Sequence, residues 1–312
     1  SSVAGVAAAN TAGVLVLVTD HHLPGRELPQ AAVIVNPNLS PDQDMGKNLA
    51  GVGVLFYVLL ALRSRLREHN WFSEHGIEEP NLADFLDLVA LGTVADVVPL
   101  DHLNRILVHQ GIRRIRAGHC RPGIKALLRV AGRNQQQHVA ADMGFAIGPR
   151  LNAAGRLEDM SLGIETLITD SEHQAEQGAA ELDRLNRQRR EIEDDMRQQA
   201  TAHLESLELQ DSTSMPFGLC IFDPGWHQGV IGILASRIKE HYHRPVIAFA
   251  AAGDGWIKGS ARSVPGLHIR DILDSVAVKH PGLIDRFGGH AMAAGLTLGE
   301  DSFKNFCDAF DH

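Results

Sequence analysis

The stretch Val14-Leu-Val-Leu-Val18, running into Thr19-Asp20-His21-His22 and a Pro24-Gly25 turn, decides how the rest of the chain is read. Five continuous apolar residues, β-branched at alternate places and ended by polar ones, predict a buried strand of a parallel sheet. Val33-Ile34-Val35 before Asn36-Pro37 repeats the pattern. Helical periodicity follows from Leu49 to Leu66 and again from Leu82 to Leu91. The second helix is expected to break at Gly92-Thr93 and lead into Val94-Ala-Asp96-Val-Val-Pro-Leu100. Strands alternating with helices predict a doubly wound α/β domain.

Working outward, residues 101 to about 170 read as mostly helical, punctuated by Pro122-Gly123, Gly132 and Gly148-Pro149. From Ser171 to roughly Leu207 the chain is rich in Glu, Gln and Arg with a poor heptad. This predicts an exposed connecting helix rather than a coiled coil. Asp211-Ser-Thr-Ser214 reads as a linker. A second α/β unit follows, with strands at Phe217 to Phe222, Val246 to Ala250, Trp256 to Ser260 and Ala294 to Leu298. Its helices run from Val230 to Tyr242 and from Ile269 to Val276.

Composition narrows the function classes. The 312 residues are 44% hydrophobic and 21% charged, enough for packed cores. A formal net charge of -9 excludes a generally basic nucleic-acid coat, but not a local basic cleft. Arg far outnumbers Lys; its planar fork suits phosphate, although base composition explains the bias equally well. Cys120, Cys220 and Cys307 lie far apart without a Cys-x-x-Cys pair. That excludes a Cys-built zinc site and a disulfide scaffold, and fits a reducing cytoplasm. The uncharged run Leu49 to Leu62 is too short for a membrane span. No signal peptide is visible, and the opening inside an Ala-rich, helix-like segment reads as a piece of something longer.

Asp20-His21-His22 stands at the carboxyl end of a strand, where open α/β sheets place ligands. Adjacent His residues leaving a strand point in different directions, so one can bind a metal while the other faces substrate. The Asp can accept an imidazole N–H and fix its tautomer. A solvent-exposed turn with two incidental His is the competing reading. Asp96, among valines, must be paired, capped or metal-bound. Two His and two Asp suit Mn²⁺ or Mg²⁺ better than structural zinc.

Thr19-Asp-His-His-Leu-Pro-Gly25, Gly92-Thr-Val-Ala-Asp96 and Gly288-Gly-His-Ala-Met-Ala-Ala-Gly295 resemble the DHH phosphoesterases and their associated C-terminal domain. Gly148-Pro-Arg-Leu-Asn-Ala-Ala-Gly-Arg156, Trp226-His-Gln-Gly-Val-Ile-Gly232 with Ala235-Ser-Arg237, and Gly259-Ser-Ala-Arg-Ser263 are similar to blocks of the branch that degrades single-stranded DNA from the 5′ end. The resemblance implies a partial parallel-sheet DHH domain over 1–170, a connecting helix and linker over 171–214, and a smaller α/β DHH-associated domain over 215–312. It implies an Mn²⁺- or Mg²⁺-dependent 5′-to-3′ exonuclease releasing mononucleotides in DNA repair and recombination. Single-stranded DNA would be the substrate, with a single-strand-binding protein and a helicase as companions.

By the same resemblance, His21 and Asp96 would be metal ligands, His22 would sit beside the metals and the scissile phosphate, and Asp20 would complete the site. Ser260 and Arg262, two apart on a strand, share a face and would clamp a terminal phosphate. Gly288-Gly289 would offer N–H groups as an anion nest, with His290 donating to a non-bridging oxygen. Arg150, Asn152 and Arg156 would line the DNA path, with His227 and Arg237 also contacting substrate. Trp226 is weighed for base stacking against core packing. The family's site also uses an Asp-x-Asp on an earlier strand and an Asp-Asn-Gly just before the matched segment, and by the resemblance both would lie upstream of Ser1. The chain is therefore expected to be inactive alone. The rival readings are a phosphoesterase for short oligonucleotides or nucleoside bisphosphates, and a non-catalytic binding relative.

Overall fold

The computed structural model describes residues 2–25, 27–40, 46–210 and 216–311. The chain divides into two compact units, one of residues 1–155 with 159–183, the other of 156–158 with 184–312.

The first unit begins with α1 (Val3–Thr11) and continues through β1 (Leu17–Thr19) and β2 (Val33–Val35), which pair in parallel. Then come α2 (Gly51–Glu68), α3 (Trp71–His75), α4 (Leu86–Ala95), α5 (His102–Arg116) and α6 (Pro122–Val130). The short α7 (Ala140–Asp142) runs into a π-helical turn over Met143–Ile147, followed by α8 (Gly148–Leu157) and α9 (Ser161–Ile168). Leu49, Val54, Phe56, Leu82, Val89 and Leu107 form one core cluster between α2, α4 and α5. Pairing of β1 with β2 confirms the parallel expectation, but not its extent or burial. The strand is three residues long, and Leu15 is 87% exposed. With two strands, the sheet gives these apolar residues too few neighbours to bury them. Nor does the chain break at Gly92: α4 runs on to Ala95. A β-carbon at Gly92 would stand 2.6 Å from Val52 Cγ1, so the glycine admits α2 rather than ending α4.

Helix α10 (Glu172–Gln210) is 39 residues long, and the division between the units falls within it, at Asp183 and Arg184. The expected exposed connector is incorrect. Ala175, Ala179 and Leu182 are buried in the first unit, and Leu185, Asn186, Glu193, Met196 and Ala200 in the second. Their spacing of three and four residues is that of an apolar stripe, obscured in the sequence by Asn186 and Glu193, two polar residues on the buried face.

The second unit continues with β3 (Leu219–Asp223), α11 (Ile231–Tyr242), β4 (Val246–Gly253), β5 (Trp256–Arg262), α12 (Ile269–Lys279), β6 (Arg286–Gly289), β7 (Ala293–Gly299) and α13 (Phe303–Asp311). The sheet order is β3-β4-β5-β7-β6, with β3 and β4 parallel and the other pairs antiparallel. Period-two alternation sorts β4 between two cores. Val246, Ala248 and Ala250 face Leu234, Ala235 and Ile238 of α11, while Ile247 and Phe249 meet α12 and α13 through Leu273 and Phe306. The sequence reading missed β6, and with it the conformation of Gly288-Gly289. These residues are paired with Gly295 and Ala294 of β7, not placed in a tight turn. The expected linker at Asp211–Ser214 lies outside the described residues.

Candidate active site

In the first unit, the backbone after β1 is organised by one carboxylate. Asp20 Oδ1 accepts from the His21 amide at 2.7 Å and the His22 amide at 3.1 Å, and lies 2.8 Å from His22 Nδ1. An ionised carboxylate can only accept, so this contact places the His22 proton on Nδ1 and leaves the Nε2 lone pair for another partner. The loop after β2 completes the hold. Asn36 Nδ2 donates to the His22 carbonyl at 2.9 Å and Asn38 Nδ2 to the His21 carbonyl at 2.7 Å. Neither asparagine was singled out from the sequence; the signal available was Asn-Pro-Asn directly after a strand, which reads first as a turn.

Asp96 caps the C-terminus of α4, and its Oδ2 lies 3.4 Å from His21 Nε2. The two imidazoles sit with centroids 4.3 Å apart. The loop after Asp96 is pinned by buried Asn104, whose Nδ2 donates to Pro99 O at 2.8 Å and Asn48 O at 2.7 Å. Two donors of one octahedral ion lie about 3 Å apart when each bond is about 2.1 Å long. The His21–Asp96 pair therefore fits part of the shell of one Mn²⁺ or Mg²⁺. It does not make a whole site: among the described residues no group of three or more His, Cys, Asp or Glu is placed to hold a metal. Asp20 is used as a backbone organiser rather than gathered with Asp96.

The second unit carries a pocket of about 450 Å³ lined by Arg156, Gln228, Gly229, Ile231, Gly232, Lys258, Gly259, Ser260 and Arg262. Ser260 and Arg262 share a face as expected, with Arg262 Nη1 donating to Ser260 Oγ at 3.0 Å. Arg262 Nε donates to Ser236 Oγ on α11 at 3.2 Å and Nη1 also to Ala261 O at 2.8 Å, so two hydroxyls and a carbonyl hold the guanidinium beside that helix. Gly232 lets it in: a β-carbon there would stand 2.8 Å from Arg262 Nη2. Burial, and then repulsion from the Arg156 charge, hold Arg262 below the ordinary guanidinium range. No carboxylate is paired with it among the described residues. A half-buried Arg without a carboxylate among the described residues, beside a second Arg, a Lys and a helix N-terminus, has the chemistry to receive an anion with several oxygens. Lys258 and Gln228 line this pocket and Ser236 supports it; none was named as a site residue, although Gln228 and Ser236 fall within the motif blocks quoted above.

Other expected residues are placed differently. Arg150 gives Nε and Nη2 to Asp183 Oδ1 at 2.9 and 2.8 Å and Nη1 to Ala146 O at 2.7 Å, a structural commitment that uses the donors a DNA path would need. Asn152 is exposed on α8, outside the pocket. Arg156 lines the pocket and donates Nη1 to Gly229 O at 3.2 Å. His227 Nδ1 accepts the Gly229 amide at 3.1 Å just before α11. Arg237 is paired with Glu193 at 3.2 Å and Glu240 at 3.6 Å, away from the pocket. Gly288 borders a shallower groove over β5, β7 and β6 that shares Lys258 and Gly259 with the pocket. The anion nest is not formed as expected: Gly289 is in the β6 ladder, and the His290 amide donates to Ala293 O at 2.8 Å. Trp226 is buried, with Nε1 donating to Gln199 Oε1 at 2.8 Å, so core packing prevails over base stacking.

Residues 1–93 match the model of the DHH family, N-terminal domain, and residues 215–312 that of the DHHA1 domain. The single-stranded-DNA-specific exonuclease RecJ of Dickeya dadantii is 60% identical over 310 residues, covering 99% of this chain and 54% of that protein. A crystal structure of exonuclease RecJ bound to manganese is 35% identical with a TM-score of 0.75, and the match spans 99% of this chain and 71% of that one. The chain belongs to the RecJ family. A second RecJ structure, from Thermus thermophilus in complex with Mn²⁺, is 34% identical with a TM-score of 0.81, and the match covers 100% of this chain and 43% of that one. The chain thus spans about half the length of the curated RecJ relative from Dickeya dadantii. Among the described residues no helix is long and apolar enough to cross a membrane.

Proposed function

We propose that this chain supplies part of the metal centre and the terminal-phosphate pocket of a 5′-to-3′ exonuclease on single-stranded DNA, releasing mononucleotides in repair and recombination. The observation that carries the reading is the Arg262 guanidinium, half-buried without a carboxylate and aimed with Ser260 and Arg156 into one pocket. Such a group is costly unless an anion completes it. A 5′-phosphate fits the pocket in charge and in oxygen count. The RecJ relatives carry single-stranded-DNA-specific exonuclease as their name, and their crystal structures contain Mn²⁺ or Mg²⁺.

When bound, a divalent cation would supply electrophilic activation of the phosphodiester and of the attacking water. His21 and Asp96 would hold part of its shell. Asp20, Asn36 and Asn38 fix the backbone of both histidines, so their geometry is set before substrate arrives. His22, with Nδ1 tied to Asp20, keeps Nε2 to hold a proton near the reacting phosphate. Ser260 and Arg262 bind and orient the terminal phosphate. A single-strand-binding protein and a helicase are proposed as companions on the family resemblance. Cytoplasmic placement rests on the three free thiols.

The test uses a full-length RecJ protein containing this segment. Release of nucleotide from a labelled long strand and from a dinucleotide is compared, each with and without 5′-phosphate. Faster release from the long phosphorylated strand supports the reading. Preference for the dinucleotide would replace it with the small-substrate phosphoesterase.

A further inference from the structure

The described surface of the first unit holds an apolar feature that the site above does not use. Phe145, on the π-helical turn, is 81% exposed. Val97, the residue after Asp96, is 85% exposed and has φ +59°, a left-handed backbone that a β-branched side chain rarely adopts. Strain of this kind persists only where the surroundings enforce it, and it gathers at functional sites. Here the enforcement is visible, because Asn104 ties Pro99 back to Asn48 and closes the loop that begins at Val97. π-helical turns likewise recur at functional sites.

The two features belong to one place. The π-helical turn packs on the last turn of α4: a β-carbon at Gly144 would stand 3.4 Å from Val94 Cγ1, and one at Gly148 3.6 Å from Ala95 Cβ. Val94 and Ala95 directly precede Asp96, whose carboxylate meets His21. The face that carries Gly144 and Gly148 is thus used for packing. Phe145, one residue round the turn, is left in solvent on a segment that packs against Val94 and Ala95, the two residues before Asp96. Among the described residues no ring contact engages Phe145, and a nucleobase is the flat apolar surface that a single strand would bring to this corner.

We propose that Phe145 is a base-stacking residue for a nucleotide next to the phosphodiester that is cleaved. This rests on the reading of the chain as part of a single-strand nuclease. Stacking tolerates any base, which suits an enzyme that must step along arbitrary sequence. It also needs an unstacked base, which discriminates single strands from duplex.

The experiment measures binding of the 312-residue chain to 5′-phosphorylated single strands containing 2-aminopurine near the 5′ end, and to the same strands with one abasic site there. The unmodified chain is expected to change 2-aminopurine fluorescence on binding and to favour the intact strand over the abasic one by about tenfold. Phe145→Ala should remove both the fluorescence change and the preference, while its affinity for the abasic strand stays that of the parent. Phe145→Tyr should restore both. If the parent binds and discriminates but Phe145→Ala behaves like it, this inference falls and the nuclease reading stands. If the parent binds neither strand, both fall.

Discussion

The DHH corner and the Arg262 pocket, the two places proposed to meet substrate, are held together in two different ways. In the corner, hydrogen bonds hold backbone: Asp20 takes two amides, and Asn36 and Asn38 hold two carbonyls. The proposed metal donors are thereby placed, but among the described residues they stop at the His21–Asp96 pair. In the pocket, side chains hold side chains: Ser260 and Ser236 grip Arg262, and the charge itself remains without a carboxylate. The proposed metal corner is tied by hydrogen bonds yet short of ligands, whereas the proposed phosphate pocket asks only for an anion. Positioning and ligation are separate properties, and a chain can have the first without completing the second.

The sharpest way to break this comparison is His21→Ala in a full-length RecJ protein containing this segment. Loss of a metal donor should lower nucleotide release by about a thousandfold, the scale of several kcal/mol of charge stabilisation, with strand binding nearly intact. Near-normal turnover at saturating Mn²⁺ would remove His21 from the ligand set. Arg262→Ala comes next, read as affinity for strands with and without 5′-phosphate. The phosphorylated strand should lose about ten- to a hundredfold, as for a charge-assisted hydrogen bond, and the hydroxyl strand less. Equal losses would make Arg262 a general backbone contact.

Asn38→Ala tests whether the corner's rigidity matters by itself. Metal-dependent release should fall by about tenfold with all donors present, and raised Mn²⁺ should recover part of it. No change would show that Asp20 and Asn36 suffice. The smallest effect is expected for Trp226→Phe, which removes the bond to Gln199. Thermal unfolding should show a cost of about 1 kcal/mol, with DNA affinity unchanged. A large loss of affinity would return Trp226 to the substrate.

What was legible in the sequence follows the same division. Strand β4 and helix α11 were readable because apolar period reports burial directly, whereas β1 was readable as a strand but not in its extent or burial. Ser260 and Arg262 were readable because two residues apart on a strand means one face. The fate of Arg150 was not, because its partner Asp183 is 33 residues away and an Arg in a motif looks the same paired or free. The buried stripe of α10 was hidden by Asn186 and Glu193, which take apolar positions but carry polar side chains. Gly288-Gly289 read as an anion nest rather than a strand because β6 is a short edge strand with glycine where bulk would signal β structure. Asn36 and Asn38 act through backbone carbonyls, a role that leaves no pattern in side-chain chemistry.

The most direct test of the central claim, that the phosphate pocket is complete while the metal corner is not, uses residues 1 to 312 alone. The chain is mixed with a labelled 5′-phosphorylated single strand and millimolar Mn²⁺, and binding and nucleotide release are followed together. The account predicts binding that weakens when the 5′-phosphate is removed or Arg262 is changed to Ala, with no release of nucleotide. Release that tracks the protein and disappears with His21→Ala would contradict it, because the corner would then hold the metal it needs.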